Sequence, residues 1–407
     1  MNRRSFLTQA TGGAALLTGT ATAQSPAPPA PVPVPDAPPV PLATTPLTTT
    51  PPVSMAPRPD GAELVWGVSR HCKGSVEVNT DDGILTFGGT DFGFSSQGDK
   101  VVRVRLRGLA PGRAHAYRAI TEAMTEPADR HETGWREIRT LDPASASTKV
   151  VIWNDTHLQQ ETLRRLHEAT PAADFLISNG DICNDWTSEG LLIPALLHPA
   201  GTDFTVKAPL AFVWGNHDLR GVHGFRLADY VATPSGKSYY AIRSGPVAFV
   251  LLNTGEDKPD GHPSFKGRVA CEPLRKEQAA WLERDILTDP VFRDAPYRVV
   301  VCHIPLRWKD ESDNPGREYD SFSRRSRALW HDALVKWKAQ IILSGHMHEV
   351  AWLPASDNFP YSQITGGGPQ PERSTWMELQ ADAARLLITM RDLSGRTVME
   401  QTLAPLA

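Results

Sequence analysis

Five separate apolar runs of this chain stop at a residue that can hold a metal or move a proton. Phe175-Leu176-Ile177-Ser178 leads through Asn179-Gly180 to Asp181. Val150-Val151-Ile152-Trp153-Asn154 leads to Asp155-Thr156-His157, and Leu210-Ala211-Phe212-Val213-Trp214-Gly215 leads to Asn216-His217-Asp218. Val299-Val300-Val301-Cys302 leads to His303, and Ile341-Ile342-Leu343-Ser344-Gly345 to His346-Met347-His348. Short continuous apolar runs bounded by turn residues read as strands buried on both faces. Such strands belong to α/β sheets covered by helices, whose chemistry sits in the crevice at the strands' carboxyl ends. One Asp or His after a strand is commonly a cap or a turn residue. Five in one chain, all of carboxylate, imidazole or amide type, predict one shared metal site.

The rest of the segment from about 148 to 407 fits that plan. Helical periodicity appears over 159–169 and 273–287, the latter with Leu274, Ala279, Trp281, Leu282 and Ile286 spaced for one face. Residues 238–243 and 246–252 read as a hairpin about Ser244-Gly245, and 375–379, 385–391 and 397–403 as closing strands. Mixed strands with flanking helices predict two packed sheets covered by helices on both outer faces.

In this order the five motifs resemble those of the calcineurin-like metallophosphoesterases. The family's D-x-H stands at Asp155-Thr156-His157, its G-D-x-x-[DN] at Gly180-Asp181-Ile182-Cys183-Asn184 and its G-N-H-[DE] at Gly215-Asn216-His217-Asp218. The lone histidine after a strand is His303, and G-H-x-H is Gly345-His346-Met347-His348. The resemblance implies a four-layer αββα sandwich holding two divalent or trivalent metal ions, Mn, Fe or Zn. It implies that Asp155, His157, Asp181 and His348 hold one ion and Asp181, Asn216, His303 and His346 the other. Asp181 is the expected bridge, because a carboxylate has two oxygens. The implied reaction is hydrolysis of a phosphoester by water activated between two cations. His217 stands where the family has a histidine that donates to a phosphoryl oxygen or protonates the leaving group. Asp218 is expected to accept from the other ring nitrogen of His217. Asn184 is expected to hydrogen-bond a metal-bound water or ligand.

Upstream, residues 60–143 read as several short strands. Val102, Val104 and Leu106 alternate with Arg103, Arg105 and Arg107, the period of a half-buried strand whose arginine row faces solvent. The stretch resembles a fibronectin type III sandwich, whose Leu-x-Pro-Gly pattern sits at Leu109–Gly112. His115 takes the place of that family's corner tyrosine. Such a domain before the metal motifs resembles the purple acid phosphatases. That subgroup has glycine at the place of His157 and a metal-bound tyrosine at the place of Asn184, so a non-purple relative is expected.

Residues 24–59 are Pro, Ala and Thr with almost no charge and predict an extended linker without a core. Residues 1–23 resemble a twin-arginine export signal, with Arg3-Arg4-Ser5-Phe6-Leu7, a short apolar stretch and an Ala21-Thr22-Ala23 cleavage site. They predict a periplasmic or secreted bacterial protein with no spanning helix. The formal charge of −4 offers nucleic acid no electrostatic attraction, so none is expected as partner.

Four cysteines in 407 residues are no disulfide scaffold. Cys183 and Cys302 read as buried thiols or a disulfide, and Cys72 with Cys271 as a possible pair. Arg220, His223, Arg307 and Tyr319 follow motif strands and are read as exposed loop residues or substrate contacts. Three functions stay open: phosphomonoesterase, phosphodiesterase or phospholipase of the same fold, and a non-catalytic envelope-binding module. The oligomeric state is open as well.

Overall fold

The computed structural model describes residues 45–309 and 321–407. The expected signal, the linker as far as residue 44, and Tyr319 lie outside the described residues. In chain order the N-terminal strands are β1 (Val53–Arg58), β2 (Gly61–Gly67), β3 (Cys72–Thr80), β4 (Gly83–Phe87), β5 (Ser96–Gly98), β6 (Val101–Arg105), β7 (Ala114–Ala123), β8 (Arg130–Glu132) and β9 (Arg136–Arg139). They are followed by β10 (Thr148–Trp153), β11 (Phe175–Asn179), β12 (Leu210–Val213), β13 (Tyr240–Ser244), β14 (Val247–Leu252), β15 (Tyr297–Cys302) and β16 (Ile341–Ser344). The chain closes with β17 (Ala351–Leu353), β18 (Ser362–Thr365), β19 (Thr375–Ala381), β20 (Leu386–Asp392) and β21 (Thr397–Leu403).

Two mixed sheets carry the motifs. One is nine-stranded, in the order β21-β20-β19-β10-β11-β12-β1-β2-β6, and the other six-stranded, in the order β13-β14-β15-β16-β18-β17. β10, β11 and β12 run parallel in the first, and β14, β15 and β16 in the second. Parallel neighbours end on the same edge, so all five motif loops leave the sheets there.

Alternation along each strand sorts its side chains. Val150 and Ile152 face the second sheet and pack with Phe249, Val299, Val301 and Leu343. Val151 and Trp153 face outward and pack with Leu166 of the helix Gln160–Ala169. On the far face of the second sheet, Val250, Val300 and Ile342 pack with Leu282 and Ile286, and with Trp330 and Leu334 of the helix Phe322–Lys336. Burial on both faces is why these strands read as unbroken apolar runs.

The N-terminal boundary differs from the expected one at residue 59. Val53–Arg58 is a strand, not linker: Val53, Met55 and Ala56 are buried with Leu210 and Phe212. Met55 pairs in parallel with Leu210 of β12, and β2 and β6 continue that sheet. The prolines on either side set the average composition of the stretch and hide the short run Val53–Ala56 within it. Nor is 60–143 a self-standing unit. β2 and β6 are shared with the nine-stranded sheet, and β3, β4, β5, β7, β8 and β9 form the sheet opposite. Between them lie Leu64, Trp66, Val76, Val78, Val102, Val104, Tyr117 and Ile138.

The arginine row faces solvent, as expected, and is paired there with acids. Arg103 and Arg105 pair with buried Glu63 of β2 at 2.7 and 3.2 Å, and Arg107 with Asp91 at 3.3 Å. The ring of His115 hydrogen-bonds the Ala110 carbonyl through Nε2 at 3.0 Å, so a histidine makes the backward bond of the missing tyrosine. All four cysteines are free and buried, and the possible Cys72–Cys271 pair does not form. Cys72 belongs to the sandwich core, whereas Cys271 opens a helix of the catalytic part.

Candidate metal centre

The backbone at the strand ends is unusual for its residue types. Asp155 (φ 51°), His157 (φ 42°), Asp181 (φ 54°), His346 (φ 73°) and His348 (φ 50°) all adopt left-handed conformations. Each costs of the order of 1–3 kcal/mol for a non-glycine residue and persists only where its surroundings hold it. Two motif glycines make room for the result. A Cβ on Gly215 would stand 2.1 Å from Asp181 Oδ1, and one on Gly345 would stand 2.3 Å from Asp155 Oδ2.

Two groups of potential ligands result. Asp155, His157 and His348 form one, and Asp181, His303 and His346 the other, with donor atoms in each within 4.8 Å of one another. Asp181 faces both: its Oδ2 lies 3.1 Å from His303 Nε2 and 3.5 Å from His157 Nε2. Asp155 Oδ1 lies 3.4 Å from His348 Nε2. Asn216 is buried beside the second group, with its Oδ1 2.9 Å from His346 Nδ1.

The outer nitrogens of the rings are spoken for. His303 Nδ1–H donates to the Asn179 carbonyl at 2.8 Å, and His157 Nδ1–H donates to Asn184 Oδ1 at 2.8 Å. That leaves Nε2 of each ring turned inward, the arrangement a metal-binding imidazole requires. Nε2 of His346 is buried without a hydrogen-bond partner, and Nε2 of His303 meets only the Asp181 carboxylate. A buried polar atom left unmatched costs about 1–3 kcal/mol, and a cation would satisfy His346. On this ground the residues fit a pair of transition-metal ions, and the mix of imidazole and carboxylate suits Mn, Fe or Zn.

The electrostatics show the strain of holding these groups together without a cation. Burial disfavours the charged form of His303, yet the carboxylates of Asp181 and Asp155 raise its pKa to about 10. Burial, and then the His303 ring, push His346 down to about 4. Burial also opposes ionisation of Asp181, but His303, His217 and His157 hold its carboxyl well below the usual range.

His217 stands at the mouth of the site, partly exposed, its ring edge-on to that of His157 with centroids 5.0 Å apart. Its Nδ1–H donates to the Asn184 carbonyl, and its Nε2 lies 3.1 Å from Arg220 Nη1. Asp218 does not orient it, contrary to expectation. The Asp218 carboxylate is fully buried and accepts backbone N–H groups of Gly215 (2.9 Å), Asp181 (2.9 Å) and Ile182 (3.2 Å). Residues 217–219 form a tight turn of about three residues per revolution, so neighbouring side chains point apart. Asp218 therefore clasps two motif loops together, and burial followed by the Asp181 charge raises its pKa to about 7.

Asn184 grips both histidines, His157 through its side chain and His217 through its carbonyl. Asn184→Ala frees the His157 ring and is expected to weaken metal retention about 10–100-fold. Competition with a metal-binding dye measures it.

Arg220 is the residue the motif reading undervalued. It is held by Glu256 and Asp257, which follow β14 through Asn253-Thr254-Gly255. Val247–Leu252 is thus a sixth apolar run that ends near acids, although its sequence does not mark Arg220 as their partner. Arg307 donates to the carbonyls of Pro354 and Tyr361 and lies over Phe359.

The comparisons with known proteins follow this geometry. The family model of the calcineurin-like phosphoesterases matches residues 148–350. The serine/threonine-protein phosphatase CPPED1 of Homo sapiens is 25% identical over 203 residues, 48% of this chain and 60% of that protein. The Danio rerio protein of the same name is 25% identical over 206 residues, 49% of this chain and 62% of its own length. These relatives are therefore matched over less than two thirds of their length. Among solved structures, the purple acid phosphatase PPD1 of yellow lupin (Lupinus luteus) seeds superimposes with a TM-score of 0.65 at 15% identity, covering 87% of this chain and 74% of that one. A structure of PhoD superimposes with a TM-score of 0.58 at 13% identity, covering 86% and 92%. At such identities the likeness is one of fold. No helix among the described residues is long and apolar enough to cross a membrane.

Proposed function

We propose, from the premise that this chain belongs through residues 148–350 to the calcineurin-like phosphoesterase family, that it is a metal-dependent hydrolase of phosphate esters and acts chiefly on monoesters. The observation that carries the reading is the pair of ligand groups facing a common Asp181, with the buried Nε2 of His346 left without a partner. A cation pair held there supplies Lewis-acid polarisation of the phosphoryl group and activates water near neutral pH. Asp155, His157 and His348 would hold one ion, Asn216, His303 and His346 the other, and Asp181 both. Asn179 and Asn184 fix two of these rings, and Asp218 fixes the loops that carry Asp181 and His217.

His217 presents Nε2 at the mouth of the crevice, and once protonated there it can pass that proton to the departing alkoxide oxygen. His217→Ala is expected to retain both metals and lose about 10²–10⁴-fold in kcat. Metal content beside steady-state kinetics checks this, and loss of metal would make His217 a ligand instead.

The preference for monoesters is supported by the relatives' designation as phosphatases and by a positive side chain beside His217. We read the two sheets with their helices as a four-layer αββα sandwich, and the N-terminal sandwich as fibronectin-like. Export by the twin-arginine route to the periplasm is supported by residues 1–23. The test is metal content by mass spectrometry on purified protein, followed by chelator-sensitive hydrolysis of a mono- and a diester side by side. About two transition-metal ions per chain with monoester turnover supports the reading. A faster diester rate moves the substrate class. Metal-loaded protein inert toward both esters overturns hydrolysis in favour of a binding module.

A further inference from the structure

Beside the metal groups lies a second assembly that they do not include. Arg220 Nε donates to Glu256 Oε1 at 3.0 Å, and Nη2 donates to Glu256 Oε2 at 2.8 Å and to Asp257 Oδ1 at 3.1 Å. Both carboxylates are deep, with side-chain exposures of 0% and 5%. The brace is itself anchored: buried Arg275 donates to the Glu256 carbonyl at 2.6 Å, and the Glu256 N–H meets Cys271 Sγ at 3.3 Å. Asp257 also takes Lys258 Nζ at 2.8 Å, so two cations meet two carboxylates and the assembly is near neutral as a whole. Its purpose is therefore placement rather than charge. A guanidinium has five N–H donors in a rigid fork. The Nε and Nη2 edge is committed to the acids, and Nη1 is directed at His217 Nε2, 3.1 Å away, next to the ring of a potential metal ligand.

We infer that Arg220 Nη1 is a substrate-binding donor that takes a non-bridging oxygen of a terminal phosphoryl group, and that it biases the site toward monoesters. This rests on the hydrolase reading and deepens it. A terminal phosphoryl group carries about −1.5 to −2 charge near pH 7 and three acceptor oxygens. A diester has one negative charge and two non-bridging oxygens, and gains less from a further donor. A donor already braced by two acids loses little rotamer freedom when the substrate arrives. Without substrate, Nη1 donates to His217 Nε2, and the ring proton sits on Nδ1 against the Asn184 carbonyl. With a phosphoryl oxygen in reach, Nη1 exchanges partner and leaves His217 Nε2 free.

The test compares Arg220→Gln with the wild-type chain, both loaded with Mn²⁺. Calorimetry reads orthophosphate affinity, mass spectrometry the metal content, and kinetics kcat/KM for p-nitrophenyl phosphate and bis(p-nitrophenyl) phosphate. The expected result is unchanged metal content, at least about tenfold weaker orthophosphate binding, and monoester kcat/KM lower by about 10²–10³-fold with the diester changed much less. Unaltered orthophosphate affinity, or equal losses on both esters, overturns the inference. Arg220→Lys keeps the charge beside the acids but cannot hold Glu256 and reach His217 at once. It is expected to weaken orthophosphate about as much, and wild-type affinity in it overturns the inference even where the glutamine variant does not fold. Wild-type protein that binds two metals and orthophosphate but hydrolyses neither ester overturns the hydrolase reading alone.

Discussion

Asp181→Ala is expected to strip both metals and lower phosphoester turnover by at least about 1,000-fold, the scale on which loss of a preorganised electrostatic stabiliser is felt. The position of Asp181 is why the effect exceeds that of any other single ligand. Its Oδ2 faces His303 and His157, which belong to different groups, while its Oδ1 accepts the His217 N–H at 2.9 Å. Metal per chain, measured beside the rate, reads the result. Loss of one ion with the other retained would make Asp155 the bridge. That carboxylate reaches His348 at 3.4 Å but His303 only at 3.8 Å.

The second large effect lies far from the chemistry. A chain starting at Thr148 is expected to accumulate in the insoluble fraction, although it would contain every metal motif. It would lack β1, which covers β12, and would leave Leu210 and Phe212 without Val53, Met55 and Val65. Burying three such side chains contributes roughly 5–9 kcal/mol, as much as many domains have in total. The bared strand would be an unpaired edge of the kind that recruits other chains. Soluble yield and light scattering against the chain from Pro46 check this. A monodisperse 148–407 fragment that unfolds cooperatively would show that the N-terminal strands are an accessory.

The two outcomes differ in how far the sequence alone announces them. Strands such as 150–153 and 299–302 are apolar throughout because both faces are covered, and a strand ending in Asp or His on a parallel sheet has one place to put it. The ligand groups follow from that local rule. The pairing of Met55 with Leu210 does not, because it joins residues 155 positions apart through a strand shorter than the prolines before it. The direction of Asp218 was hidden for another reason: neighbours in a tight turn diverge, and a motif written as letters does not say which points inward. Arg220 was hidden because its function depends on Glu256 and Asp257, which no short spacing connects to it.

The four thiols have a consequence of their own. Each is buried and none is bonded to another, so no part of this fold's stability depends on an oxidant. A native disulfide typically contributes about 2–4 kcal/mol that reducing conditions remove. This chain has no such contribution to lose. Its melting temperature should be the same with and without dithiothreitol, and the compartment in which it folds is free to differ from the one in which it works.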